Sequence, residues 1–225
     1  MKTEHSTKKA LLFAAAVCAG LIAQTHSASA NETSFDGSKA RVVLSSELRT
    51  LTQKIGSASC RVNAGIGVEV ALSELDLARN EFNTIMRGLE NGSLALGIPS
   101  AEKNRVVLKS LNAVRDAWKP IDQAAQTLVS KTAGQARAAE VIAAENLKLL
   151  DATNILASDM SGRYSNPHEL TQADAMALNI AGRQPMLGHR IAKEVCGIVA
   201  SNDGNADTNE LGQSLDMYNV SLSAL

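Results

Sequence analysis

The chain has 225 residues, 45% of them apolar and only 3% aromatic, with 22 Lys+Arg against 23 Asp+Glu and a formal net charge of −1. Such a composition excludes disorder along the whole chain, which requires low hydrophobicity and a large net charge. The balance of charge, with no basic stripe, also excludes a dedicated nucleic-acid binder, whose affinity rests on neutralising many phosphates.

Residues 1–30 read as a secretory signal: Lys2, Lys8 and Lys9, an apolar run from Leu11 to Ala23, then Ser27-Ala28-Ser29-Ala30 with small residues at the cleavage positions. Cleavage is expected after Ala30. The run is too short to span a bilayer comfortably, and no later stretch approaches ~20 uninterrupted apolar residues. The expected mature protein is therefore exported, periplasmic or secreted, without a membrane span. Cys18 falls inside the signal, and Val17 makes it a poor lipidation site. Residues 31–40 read as a flexible N-terminal segment and 41–225 as one helical-bundle domain.

Apolar residues then recur at steps of three and four, and strand-like alternation is absent, so the fold class is all-α. The first helix, 38–63, carries Leu44, Leu48, Leu51, Ile55, Ala58 and Val62 as one stripe. The second, 68–90, carries Leu75, Ala78, Phe82, Ile85 and Leu89 and stops at Asn91-Gly92. Ser100 after Pro99 is the expected N-cap of a third helix through Val107, Leu111, Val114, Trp118, Ile121 and Leu128, kinked or divided at Pro120. A fourth, 135–160, places Asn146 and Thr153 in its apolar seam. A break over Gly162–Pro167, a helix over 169–200, a turn over Ser201–Asp207 and a last helix over 208–225 complete the chain. Short connections between helices of this length predict an antiparallel bundle.

Shifting the sequence by 136 residues superposes Leu51 on Leu187, Ile55 on Ile191, Cys60 on Cys196, Glu74 on Glu210, Leu75 on Leu211 and Asn83 on Asn219. We read this as an internal repeat of helix-turn-helix units, about 45–89 and 181–225, related by a pseudo-two-fold axis. Cys60 and Cys196 each point away from the apolar stripe of their helix, on faces rich in small residues. The two helices are expected to touch there, and Cys60–Cys196 is the disulfide candidate in an oxidising compartment. Two buried thiols acting as small apolar groups are the alternative.

No haem-attachment CxxCH, HExxH, phosphate loop or GxSxG is present, so no catalytic residue, metal site or cofactor is expected and the protein is read as non-enzymatic. His168 reads as a solvated loop residue. His189 has no further metal ligands at nearby spacing. Arg183 and Gln184 interrupt an apolar seam between Ile180 and Leu187. A guanidinium facing a bundle interior needs an anion, a carboxylate or carbonyls. It is either satisfied by an internal carboxylate or by snorkelling to water, or it serves as a fork-shaped donor in a small-anion pocket.

Gly182-Arg183-Gln184, Met186-Leu187 and Arg190-Ile191-Ala192-Lys193 resemble the signature of the NarX-like or PilJ-type N-terminal sensory domain. Leu48-Arg49-Thr50-Leu51-Thr52-Gln53-Lys54-Ile55, and Phe82 through Gly92 followed by Trp118, resemble it too, so the similarity covers most of 41–200. The resemblance implies an extracytoplasmic helical bundle in which an Arg of the motif binds nitrate or nitrite in the nitrate sensors. Arg183 is the matching position, with Gln184 and Arg190 as further ligand-binding candidates in the same segment. Where the family has a second Arg this chain has Pro185, which deletes a charge and a backbone donor. The resulting expectation is an exported binding module for a small anion or for an envelope signalling or pilus-related protein, with a homodimer also open to it. The alternative is a structural or interaction scaffold of the envelope with no small-molecule ligand.

Overall fold

A computed structural model of the chain describes residues 36–165, 170–201 and 208–224. The expected signal, His168 and most of the Ser201–Asp207 turn lie outside the described residues. Among the described residues seven α-helices follow in order: α1 Ser38–Asn63, α2 Val68–Asn91, α3 Arg105–Val129, α4 Gln135–Tyr164, α5 Gln172–Ala181, α6 Arg183–Ala200 and α7 Asn209–Ser223. The described residues contain no strand, and one isolated bridge joins Ser93 to Ile98. The chain is an all-α helical bundle, as the periodicity predicts.

α1 packs most extensively against α2, α4 and α6. Leu48, Leu51, Ile55 and Ala58 supply its apolar face, and Ser45, Ser46, Thr52, Gln53, Ser57 and Ser59 are buried as well. Small hydroxyl residues can be buried because they bond back to their own helix: Ser45 Oγ donates to Val42 O at 2.9 Å and Thr52 Oγ1 to Leu48 O at 2.8 Å. Across the α2–α3 interface, Phe82 stacks on Trp118 with ring centroids 4.1 Å apart. Trp118 donates its indole N–H to Asn83 Oδ1 at 2.8 Å, so the ring is buried without an orphaned donor.

Several boundaries differ from the sequence reading: α4, expected to end at 160 before a break from Gly162, runs through Gly162 to Tyr164. The N-cap of α3 is Asn104, which accepts from Val106 N and Val107 N, whereas Ser100 lies in the preceding linker and offers its carbonyl to Arg41 Nη2 at 2.6 Å. α3 also runs through Pro120 without interruption. The helix expected over 169–200 is two helices, α5 and α6, meeting at Gly182. Pro185 then falls in the first turn of α6, where its missing N–H costs no helical bond. Gly182 is required by close approach, since a Cβ there would collide with Ser46 Oγ of α1.

Helical hairpins stand at both halves of the expected repeat, but matched positions lie in unequal surroundings. Leu75 and Phe82 are fully buried, while Leu211 and Tyr218 are only half-buried. α7 buries Ser214 alone and leaves Val220 71% and Leu222 53% exposed. The faces carrying the cysteines do meet: Cys60 and Cys196 form a disulfide with Cα atoms 6.2 Å apart. Gly56 makes this approach feasible, because a Cβ there would sit 3.0 Å from both Lys193 Cδ and Asn146 Nδ2.

The entry to α1 is fastened by a buried ion pair. Arg41 Nη1 lies 3.1 Å from Glu102 Oε2, and Arg41 also donates to Leu89 O at 3.3 Å. Glu102 Oε1 accepts from Lys103 N and Asn104 N at 2.8 and 2.7 Å, and Tyr164 OH donates to the same carboxylate at 2.7 Å. The Arg41 guanidinium lies 5.0 Å from the Tyr164 ring centre. Burial, then the Glu102 hydrogen bond, push the Tyr164 hydroxyl up to about 12.

Candidate functional site

A cavity of about 710 Å³ opens where α1, α4, α5, α6 and α7 converge. Leu150, Met186 and Leu187 give it an apolar floor, and Asn154, Ser158 and Asn179 add neutral hydrogen-bonding groups. Its charged lining is Arg49, Arg183, Arg190 and Asp216, an excess of positive charge.

The buried guanidinium of this cavity belongs to Arg49, not to Arg183. Arg49 is 3% exposed, and its donors meet neutral acceptors: Asn179 Oδ1 at 2.9 Å, Ser46 Oγ at 2.5 Å and Asn179 O at 3.4 Å. Its Nε is buried without a partner. Burial, and secondarily the charge of Arg183, pull its pKa down to about 10, so it remains a cation at neutral pH with no carboxylate bonded to it.

Arg183 is exposed and lies at the cavity lining, correcting the expectation that it faces the bundle interior. Ile180, Arg183 and Leu187 still line the one cavity, so the seam continues through 183 and Arg183 stands at its exposed margin. Arg190 lines the cavity too, but its Nε is taken by Glu194 Oε1 at 2.8 Å. Gln184 is not part of the lining; its amide reaches toward Tyr218 O of α7 at 3.5 Å. Arg49 was legible only through its company: Ser45, Ser46 and Thr50 beside it are small enough to let neighbouring helices approach closely, as Ser46 does at Gly182.

The family model described as PilJ, type IV pili methyl-accepting chemotaxis transducer N-term, matches residues 33–144. That segment belongs to the PilJ family. It takes in α1, α2, α3 and the start of α4, and thus the Leu48–Ile55 stretch with Arg49, whereas Gly182–Lys193 lies beyond the match. No curated protein and no solved structure matches the chain. The PilJ-type module is thus a chemotaxis-transducer-like helical unit. Among the described residues no helix is long and apolar enough to cross a membrane, and no three His, Cys, Asp or Glu side chains cluster as metal ligands.

His189 is half-buried on α6, and its pKa is lowered by burial and then by Lys54 and Arg61, with Glu74 opposing. A histidine that resists protonation in the fold costs stability as pH falls through its ordinary value of 6.5. Urea melts should therefore show the His189→Gln variant losing less stability than the parent between pH 7 and pH 5. Equal losses in both would mean that His189 does not drive the acid sensitivity.

Proposed function

We propose that the chain is an exported, non-enzymatic sensory module of the PilJ type that takes a small inorganic anion of the nitrate or nitrite kind in the arginine cavity. The observation carrying this reading is Arg49, a buried cation held only by an amide, a hydroxyl and a carbonyl, with a second guanidinium nearby. Removing a guanidinium from water without an anion is costly, and an oxyanion offers the unpartnered Nε an acceptor and the buried charge a counterion. Arg183 adds a second cation from the solvent side and Asn179 a neutral donor.

Thermal melting in nitrate, nitrite and sulfate against chloride at matched ionic strength tests the idea. A ligand at a hundred times its Kd stabilises by about 2.7 kcal/mol, a shift of roughly 5–10 °C for a chain of this size. Arg49→Ala should abolish the shift and Arg183→Ala should reduce it. Arg49→Lys should not restore it, because a point charge lacks the fork. No rise with any of these anions in the parent chain would end the reading.

A second reading, an interaction scaffold of the envelope, is favoured by α7, where Leu215, Met217, Val220 and Leu222 are all exposed. A stable homo-oligomer by light scattering, indifferent to anions, is the outcome that would favour it.

A further inference from the structure

A second cavity, of about 740 Å³, lies between α1, α4, α6 and α7 and shares no lining residue with the arginine cavity. Its charge is opposite: Glu140, Glu194 and Glu210 line it against the single cation Lys193. Two of its polar groups are buried with nothing to bond. Ser59, 2% exposed, has an unpartnered Oγ, and Glu194, 9% exposed, has an unpartnered Oε2. The other Glu194 oxygen is occupied, accepting from Arg190 Nε at 2.8 Å and Ser214 Oγ at 2.9 Å. A carboxylate fixed so firmly at one oxygen cannot turn its second toward water, and an unpaired buried acceptor carries its full desolvation cost.

Lys193 does not answer it. Its Nζ donates to Asn146 Oδ1 at 3.0 Å, in the seam where the same oxygen accepts from Gln53 Nε2 at 3.0 Å and Asn146 Nδ2 donates to Thr52 O at 2.8 Å. Burial, and then Arg190, lower the Lys193 pKa, with Glu194 and Glu210 opposing. Glu140 and Glu210 are exposed, so the acidic groups run from a buried end at Glu194 to an open one. They do not converge as a metal-binding group among the described residues, which disfavours a single compact ion and suits an extended one. Ala143, Leu147, Ile198 and Leu211 supply apolar wall between them.

We propose that this cavity binds an aliphatic diamine, with one ammonium donating to Glu194 Oε2 and Ser59 Oγ, the carbon chain on Leu147, Ile198 and Leu211, and the second ammonium at Glu140 and Glu210. Titration calorimetry of the full chain with 1,4-diaminobutane at fixed ionic strength tests this, with leucine as a zwitterion of similar size. Saturable one-to-one binding of the diamine is expected, weakened about tenfold or more in Glu194→Gln, since a charge-assisted hydrogen bond is lost. Glu140→Lys, at an exposed position that leaves the core untouched, should weaken it comparably and decides the matter if Glu194→Gln fails to fold. Arg49→Ala, which removes the anion response proposed above, should still bind the diamine. The proposal is overturned by a silent titration of the parent, by unchanged affinity in Glu140→Lys, or by binding of leucine in preference to the diamine.

Discussion

Glu102→Ala is expected to destabilise the fold by about 3–5 kcal/mol, the cost of leaving one half of a buried ion pair uncompensated. Arg41 and Glu102 side chains are 2% and 0% exposed, so water cannot take the place of the lost carboxylate. The same truncation orphans the N–H groups of Lys103 and Asn104 and the Tyr164 hydroxyl, each of which donates to Glu102. The residues involved span the start of α1, the linker before α3 and the end of α4, so the loss acts on three elements together. A double variant, Arg41→Met with Glu102→Leu, should lose less than the sum of the two single changes, because no charge remains buried. Urea unfolding of the three variants measures the difference. Additive losses would show that the two side chains act independently despite their 3.1 Å contact.

None of this cluster is visible as a spacing. Arg41, Glu102 and Tyr164 are far apart in sequence, and each belongs to a residue type that is ordinarily exposed or amphipathic. By contrast the Leu48–Leu51–Ile55 stripe and the Phe82 and Trp118 positions were legible, because helical periodicity reports directly which side chains share a face. The cap of α3 was misplaced because Ser100 and Asn104 are both good capping residues. The choice between them is tertiary: Glu102 N bonds to Glu90 O, and Ser93 and Ile98 exchange backbone bonds, which hold the linker out of the helix.

The arginine cavity was half legible for a related reason. The motif at 182–193 placed attention on α6, and α6 does supply Arg183 and Arg190. The desolvated charge, however, lies on α1, the helix that is buried around most of its circumference and keeps only a narrow polar edge at Lys39, Glu47 and Lys54. Small residues made that burial possible. Ser46 approaches Gly182 and Gly56 approaches Lys193, so α5 and α6 close over Arg49 and over the Asn146 seam. Asn179 at the end of α5 and Arg183 at the start of α6 line the same cavity on either side of Gly182.

Removing the disulfide, by Cys60→Ser with Cys196→Ser, is expected to cost about 2–5 kcal/mol, near the upper end of the range because the closed loop is long. The bond ties residues 136 apart and joins α6 to α1. Its loss should not be felt evenly. α1 to α4 share one apolar core through Leu48, Phe82, Leu111, Trp118 and Leu149, and that core needs nothing from α7. α7 rests on α6 and α5 and buries a single serine, so the α6–α7 hairpin is held chiefly by what α6 makes with α1. Hydrogen exchange should accelerate across α6 and α7 in the variant, or on adding a reductant to the parent, while α1 to α4 amides keep most of their protection. The hairpin carries Arg183, Arg190, Lys193, Glu194 and Glu210, so a loosened α6–α7 would degrade both cavities at once. Exchange that quickens equally in all helices would instead mean that the bundle unfolds as one unit and that the crosslink acts on the unfolded chain alone.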